Sequence, residues 1–378
     1  MGASKNMKKR ILIVAGARPN FVKIAPLMRE FDKHRKHFEV LLVHTGQHYD
    51  FEMSDVFFQN LRIPNPDIYL NVGSASHAIQ TAKIMVAFES VVLEQKPDLI
   101  IVVGDVNSTL ACSLVASKLG IKIAHVEAGL RSFDRDMPEE INRMVTDSLS
   151  DYLFVSERSG LKNLKSEGVN PEKVYFVGNV MIDTLSANLQ IVDQSDILNK
   201  LGLTVNKYSV LTLHRPSNVD SHKALTEVFD ILNSISREIK IIYPIHPRTK
   251  KMINEYNFSG RFEKLHNLLI VEPLGYVDFV KLVKESKFVI TDSGGIQEES
   301  TFLRIPCLTV RENTERPITV AKGTNYLVGR DKTKILSCVK KILNGRSKKG
   351  SIPELWDGKT AERIIGIILS KKGWITSF

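Results

Sequence analysis

The chain has few cysteines: Cys112, Cys307 and Cys338 are the only three in 378 residues, and they show no paired or metal-ligand spacing. That excludes a disulfide framework and a cysteine-built zinc site, and it suits a reducing cytoplasm. Long apolar runs are missing too, and none approaches the ~20 residues that a membrane span needs. The opening MGASKNMKKRILIVAGARP sets a basic region before an apolar one, but the apolar part is only about six residues and ends in Gly, too short for a secretory signal. Its first six residues read as a disordered lead-in. There is no G-x-G-x-x-G and no Walker pattern, which disfavours dinucleotide and P-loop use. His44 and His48 are four apart, yet a strand precedes them and Gly46 intervenes, so they do not share a helix face as zinc ligands would. No metal is expected. The net charge of +10 favours anionic partners, but the basic residues are scattered and not interleaved with aromatics. The dense basic groups, KNMKKR and GRSKKG (345–350), sit near the two ends. A nucleic-acid face is thereby disfavoured, and a phosphorylated small molecule fits the charge.

What is present is a rhythm. With 43% hydrophobic and 25% charged residues, the chain is globular in type. Short runs rich in Ile and Val (ILIVAG, EVLLVHT, LIIVVGD, IKIAHVE, YLFVS, KVYFVGN) alternate with amphipathic stretches such as SHAIQTAKIMVAFESVVLEQ and STLACSLVASKLG. The second half repeats the pattern with SVLTLHR, KIIYPIHP, LLIVEPL, KFVITDS, PCLTVR and NYLVG. Continuous apolar strands belong to parallel sheets covered on both faces. The expectation is an α/β protein of two doubly wound Rossmann-like domains, residues 1–186 and 208–358. The more polar 187–207, without a strand, is read as the linker. A final helix within 359–378 has one apolar face suited to packing back on the first domain. Two such domains in tandem place a ligand cleft at the carboxyl ends of their strands.

The strand ends hold five groups of interest. After the first strand come Gly16, Arg18 and Pro19, with Lys23 about one turn into the next helix; a glycine turn with two cations suits a phosphate or carboxylate, or is an ordinary βα turn. Asp105 ends LIIVVGD ahead of Asn107, Ser108 and Thr109, residues that commonly cap helices. Glu127 ends another buried strand and is followed by the loop AGLRSFDRDMP. Pro138 then opens a helix with Glu139 and Glu140 in its first turn, where the helix dipole favours acids. Arg143, four residues after Glu139, is spaced to pair with it. In the second half His214 and Arg215 end SVLTLHR, a His-Arg pair suited to a phosphate-sized cleft, histidine being in general the side chain that exchanges protons nearest neutrality. Finally, KFVITDSGGIQEES runs into Asp292, Ser293, Gly294 and Gly295. Adjacent glycines at a helix start let backbone N–H groups approach an anion closely, with Glu299 about one turn further in.

Taken in order, GARPNFVKIAPL, GDVNSTLA, HVEAGLRSFDRDMPEEINR, VGNVMIDTL and TDSGGIQEES…RENTERP resemble the non-hydrolysing UDP-N-acetylglucosamine 2-epimerase family along nearly the whole chain. The resemblance implies a glycosyltransferase B-like fold, interconversion of UDP-GlcNAc and UDP-ManNAc, no cofactor, a cytoplasmic homodimer, and neither nucleic acid nor membrane as partner. Carried over motif by motif, Asp105, Glu127, Glu139 and His214 match the catalytic positions. Arg18, Lys23, Arg143, Ser293, Gly294, Gly295 and Glu299 match substrate-binding positions, and Phe279 matches the aromatic that stacks on uracil. This chain departs from the bacterial pattern at RPN, QHYD and HRPS, and its loop between Glu127 and Glu139 is shorter. These changes touch the region where some members bind a second UDP-GlcNAc as activator. The short loop and QHYD also resemble relatives acting on 2,3-diacetamido sugars. A hydrolysing epimerase, a retaining glycosyltransferase and a UDP-sugar sensor are the other readings.

Overall fold

The computed structural model describes residues 8–16, 18–46 and 63–371, with Arg18 described in its backbone alone. The expected lead-in at residues 1–6, and His48, lie outside the described residues. Two compact units form: the described residues up to Ala187 together with those from Glu354 onward, and Asn188–Pro353.

The first unit is built on seven strands: β1 (Lys9–Ala15), β2 (Phe38–His44), β3 (Ile68–Tyr69), β4 (Leu99–Val103), β5 (Lys122–Ala128), β6 (Tyr152–Val155) and β7 (Val174–Phe176). Their spatial order is β3-β2-β1-β4-β5-β6-β7, and every pairing is parallel. A strand covered on both faces has no solvent side, so its residues need not alternate. Ile11, Leu12 and Ile13 in β1, and Leu99 to Val102 in β4, are accordingly all at 0% exposure. The helices His77–Gln95 and Asn107–Lys118 seal one face, where Leu12, Val43, Phe88, Ile100 and Ala116 share a core. Each such fully buried aliphatic or aromatic side chain is worth about 1.5–3 kcal/mol. Ser76 caps the first of these helices by accepting from the Ile79 amide, and Lys96 ends it in the left-handed conformation just before Pro97.

The second unit has six strands, β8 (Tyr208–Thr212), β9 (Lys240–Pro244), β10 (Leu268–Val271), β11 (Phe288–Thr291), β12 (Cys307–Thr309) and β13 (Asn325–Leu327). The order β10-β9-β8-β11-β12-β13 is again parallel throughout. Each sheet therefore starts in its middle and grows first one way and then the other. The loops leaving β1 and β4, and those leaving β8 and β11, diverge at a topological switch point, where open α/β sheets bind ligands.

Three features differ from the sequence reading or extend it. β3 is a two-residue edge strand, too short to register as an apolar run. The polar stretch 187–207 carries helical structure, because the helix Val180–Asp193 runs into it and Ile197–Lys200 forms a further turn. Ile197 is buried in one cluster with Tyr208, Val210 and Ile242, and Leu198, Leu201 and Leu203 pack half-buried against it, so a few apolar residues tie the segment to the second core. The helix Thr360–Ser370 buries Ala361, Ile364, Ile365 and Ile368 and packs against the helix Arg18–Asp32. Its first two amides donate to the Asp183 carboxylate, at 3.1 and 2.7 Å, in place of a local cap. Cys112, Cys307 and Cys338 are free and buried. Among the described residues no helix is long and apolar enough to cross a membrane, and no group of three acids, histidines or cysteines is placed to hold a metal ion.

Candidate active site

In the first unit the switch point gathers acids and cations. Glu127 lies at the end of β5, where the register against β6 slips between Val126 and Ala128, and its φ is +80°. A non-glycine residue held there costs on the order of 1–3 kcal/mol, strain typical of functional sites. The bulge turns the carboxylate to the Lys23 ammonium, with which it forms a buried ion pair. Gly104, directly before Asp105, makes room for that pair. At φ +67° any Cβ there would be strained, and it would stand 2.8 Å from the Lys23 Nζ and 3.6 Å from a Glu127 oxygen. The Gly104 amide donates to the Val126 carbonyl at 3.1 Å, so the turns carrying Asp105 and Glu127 are directly joined.

Asp105 accepts from the Arg143 Nε at 3.0 Å and from its Nη2 at 2.6 Å. Arg143 also donates from Nη1 to Glu140 at 2.6 Å. The expected partner, Glu139, is replaced here by its neighbour, because Glu140 faces inward on the i,i+3 spacing while Glu139 lies at the helix mouth. Glu140 is 1% exposed and accepts from the Ser132 amide and hydroxyl and from the Phe133 amide, all within 3.0 Å. It is the clamp of the loop after β5. Much of the acidity around 125–143 thus holds that loop in shape, and Glu127 and Glu139 take no part in the clamp. Glu139 lines a pocket of about 210 Å³ with Gly16, Ser108, Asn107, Gln80 and His77.

The expected caps of the helix Asn107–Lys118 serve other ends. Its N-cap is Val106, with no side-chain bond. Ser108 pairs with the Thr45 hydroxyl at 2.7 Å, Thr109 donates to the Val103 carbonyl, and Asn107 bonds Gln80 and Asn142. Tertiary partners at the crowded strand ends outcompete local capping. Gly16 is required because a Cβ there would overlap the Ser108 side chain. Asn20 joins two strand ends, accepting from the Gly16 amide and donating to the Val103 carbonyl. Arg18 opens the helix Arg18–Asp32 beside it. His44 is buried and stacked on Phe21, with ring centroids 5.3 Å apart.

In the second unit the site centres on a residue given no role by its sequence. Asp292, at 0% exposure, follows β11 and accepts from the His214 amide (3.0 Å), the Arg215 amide (2.9 Å) and the Asn218 side chain (3.0 Å). It also pairs with the His214 Nδ1 at 3.1 Å. Burial alone would raise its pKa, but the hydrogen bond and charge of His214, with Asn218 and the Arg215 amide, hold it below the ordinary value. With Nδ1 tied to a carboxylate, the exchangeable nitrogen of His214 is Nε2. The His214 ring is tilted over that of His246, centroids 5.2 Å apart. The signal for His246 was present in the parallel between LHRP after β8 and IHPR after β9.

Ser293 caps the ten-residue helix Gly294–Leu303 through its backbone, so its hydroxyl makes no cap bond. Ser293, Gly294 and Gly295 are only half-buried, and they present an N-terminal array of N–H groups suited to an anion. Gly294 has its own reason: a Cβ would come 2.7 Å from a Glu315 oxygen. Glu315 is held in turn by Arg311 at 2.7 Å, and Arg316 pairs with Glu298 at 2.6 Å, so the RENTERP segment braces the same helix. Glu299 is buried, and burial pushes its carboxyl up to about 7 against the pull of the Tyr276 hydroxyl. Phe279 lies on the helix Tyr276–Lys284, half-buried against the core that includes Ile242 and Leu282.

Residues 30–369 match the family model described as UDP-N-acetylglucosamine 2-epimerase. The chain belongs to that family. A UDP-N-acetylglucosamine 2-epimerase of Methanococcus maripaludis is 44% identical over 96% of this chain and 99% of its own length. A UDP-2,3-diacetamido-2,3-dideoxy-D-glucuronate 2-epimerase of Pseudomonas aeruginosa is 37% identical over 96% and 99%. The Methanocaldococcus jannaschii UDP-GlcNAc 2-epimerase, solved in complex with UDP-GlcNAc and UDP, matches with a TM-score of 0.89 and 42% identity, covering 96% of this chain and all of that one. The two Rossmann-like units are those of the glycosyltransferase B type of fold that the epimerase family shares.

Proposed function

We propose that the protein reversibly inverts C2 of UDP-GlcNAc to give UDP-ManNAc, without hydrolysis, supplying ManNAc-type sugars for cell-surface polysaccharide. The observation that carries this reading is the pair of acid-bearing turns, Asp105 and Glu127, joined through Gly104 at the switch point of a family member's first unit. The C2 proton of the sugar is not next to a carbonyl, so a carboxylate cannot remove it directly. If the C1–O bond breaks first and UDP leaves with the electron pair, an oxocarbenium-like centre makes C2–H acidic. A carboxylate takes that proton, leaving 2-acetamidoglucal and UDP. A proton then returns to the opposite face of C2, and a UDP oxygen re-forms the bond to C1.

Each step needs a particular kind of group. Asp105, Glu127 and Glu139 provide negative charge for the cationic sugar and carry protons to and from its two faces. The pairs with Arg143 and Lys23 hold the first two carboxylates in place until they are used. The leaving diphosphate falls to His214, Arg18 and the N–H groups at Ser293, Gly294 and Gly295. Phe279 stacks on the uracil, and Glu299 accepts from the ribose hydroxyls. No cofactor takes part in this scheme.

Glu299 makes the nucleotide side pH-dependent. The form that accepts two hydroxyl donors best is the carboxylate, and its pKa of about 7 lies above the ordinary 4.5. UDP affinity is therefore expected to rise with pH through neutrality and level off above it. Subtracting the profile of Glu299→Gln removes the titration of UDP itself. Identical profiles for the two proteins would remove Glu299 from the ribose site.

A second reading, C2 inversion of a UDP-2,3-diacetamido sugar, draws on the Pseudomonas aeruginosa relative. Incubation with each UDP-sugar, followed by chromatography, tests the assignment. Conversion of UDP-GlcNAc to its C2 epimer with no free sugar supports the proposal. Turnover of the diacetamido substrate alone, or release of ManNAc with UDP, rejects it in favour of the second reading or of a hydrolase. The family's expected homodimer has a candidate face on the helix His77–Gln95, where Ile79, Val86 and Leu93 are 52, 72 and 58% exposed. A monomer by light scattering would discard it.

A further inference from the structure

We propose that His125 is a positioning residue, held as an imidazolium, that locks together the two turns bearing Asp105 and Glu127. The proposal rests on the reading of those two acids as the groups that act on the sugar. His125 lies on β5 and is completely buried. Its Nε2 is 2.8 Å from the carbonyl oxygen of Gly104, and its Nδ1 is 2.6 Å from an oxygen of Asp147. A carbonyl oxygen only accepts. Asp147 also only accepts, since its other oxygen receives the Gly129 amide at 3.0 Å and the Arg131 guanidinium at 2.7 Å. Burial works to raise the Asp147 pKa, but His125 and then Arg131 hold it below the carboxylate norm. With an acceptor at each ring nitrogen, both nitrogens carry hydrogen. A neutral imidazole would set one nitrogen lone pair against an oxygen lone pair in a site without solvent.

The connectivity gives this charge a task. From Gly104 the path runs through His125 and Asp147 to Gly129. Gly104 precedes Asp105, and Glu127 lies between His125 and Gly129. The bridge therefore grips one turn by its carbonyl and closes the bulge around Glu127 by its amide. Both gripped residues have positive φ, +67° at Gly104 and +79° at Gly129, as does Glu127 between them. At Glu127, the one of the three that is not glycine, this backbone is strained and persists only where its surroundings over-determine it. Asp147 stands on the helix Pro138–Leu149, which also carries Arg143 and Glu139, so the same bridge seats that helix. Arg131, from the loop, backs Asp147 and forks to Glu167 at 2.8 and 2.7 Å. Asp147 is the charged group in contact with the ring, Arg131 and Glu167 stand behind it, and Glu127, two positions along β5, is paired with Lys23. A buried ion pair is by itself weak evidence for stability, and apolar replacements often do as well. What apolar residues cannot supply is a donor in two fixed directions.

Two measurements on the full chain test this. In nitrogen-15 NMR of histidine-labelled protein at pH 7, the His125 ring is expected to show both nitrogens protonated, as an acceptor at each nitrogen requires. In His125→Gln, one acceptor loses its donor and the charge is gone. Its kcat for the epimerase substrate is expected to fall about 100-fold, the loss typical of groups displaced by about 1 Å. UDP affinity by calorimetry is expected to stay within about twofold, because the proposed UDP-binding groups, Arg18 apart, belong to the other unit, and Arg18 is not part of the bridge. A neutral His125 tautomer at pH 7, or a folded His125→Gln with wild-type kcat, overturns the proposal. If the variant does not fold, the NMR result on the wild type decides alone. A wild-type protein that shows the imidazolium but does not turn over a UDP-N-acyl sugar would refute the functional reading and leave the hydrogen-bond assignment standing.

Discussion

Glu127→Gln is expected to lower kcat by about 10²–10⁴-fold while UDP binding persists, the range for loss of a proton-transferring group. The backbone gives the substitution little reason to disturb the fold, since Gln occupies the same volume and tolerates the bulge no worse than Glu. What changes is charge. Lys23 is left facing an amide in a buried setting, and removing one partner of such a pair destabilises strongly, by up to about 3–5 kcal/mol. A fall in activity therefore needs a control for stability. Combining Lys23→Met with Glu127→Gln removes the buried ammonium that has lost the Glu127 carboxylate and should recover much of the melting temperature without recovering turnover. Single-turnover kinetics with calorimetry of UDP separates the two effects. Wild-type turnover in a folded Glu127→Gln would take the residue out of the chemistry.

Asp292→Asn is expected to destabilise the second unit by about 3–5 kcal/mol at neutral pH, because the amide offers one acceptor and a donor where several donors converge. The sign with pH follows from its lowered pKa. Asp292 contributes stability that is present above the ordinary value of 3.8 and is lost as pH falls through the folded value. Urea unfolding should thus separate wild type and variant widely at pH 7 and bring them together in strong acid. The variant should also lose orientation of the His214 ring, whose Nδ1 partner it alters. Equal unfolding midpoints at pH 7 would show that the converging donors find other partners at no expense.

Much of the architecture was legible because fully covered parallel strands have one sequence signature, a short run of Ile and Val, and it survives without any alignment. Strands such as β1, β4 and β11 announce themselves this way, whereas β3, with two residues at an edge, cannot. The stretch 187–207 looked like a linker by polarity. It is tied to the second core by a few apolar residues, the buried Ile197 with Leu198, Leu201 and Leu203, that composition averages away. For the site, residue type and strand-end position pointed to Asp105, Glu127, His214 and the Ser293 turn, since a parallel sheet sends every carboxyl end to one side. The pairings were not legible, because they are tertiary. Arg143 reaches Asp105 across 38 positions, and Asp292 reaches His214 across 78. Spacing on a helix suggested Glu139 for Arg143, yet the inward face of that helix carries Glu140. Likewise Asn107, Ser108 and Thr109 have the chemistry of caps, but nearby strand ends supply partners such as Thr45 and the Val103 carbonyl. The need for Gly104 comes from Lys23 and Glu127 behind it, neither of which is close in sequence.

The measurement that bears most directly on the proposed chemistry is turnover of UDP-GlcNAc in deuterated water. Elimination and re-addition require the C2 hydrogen to leave to a side chain that exchanges with solvent, so deuterium is expected at C2 of both the UDP-ManNAc formed and the UDP-GlcNAc remaining. Epimerised product that keeps its original hydrogen at C2 would contradict the account.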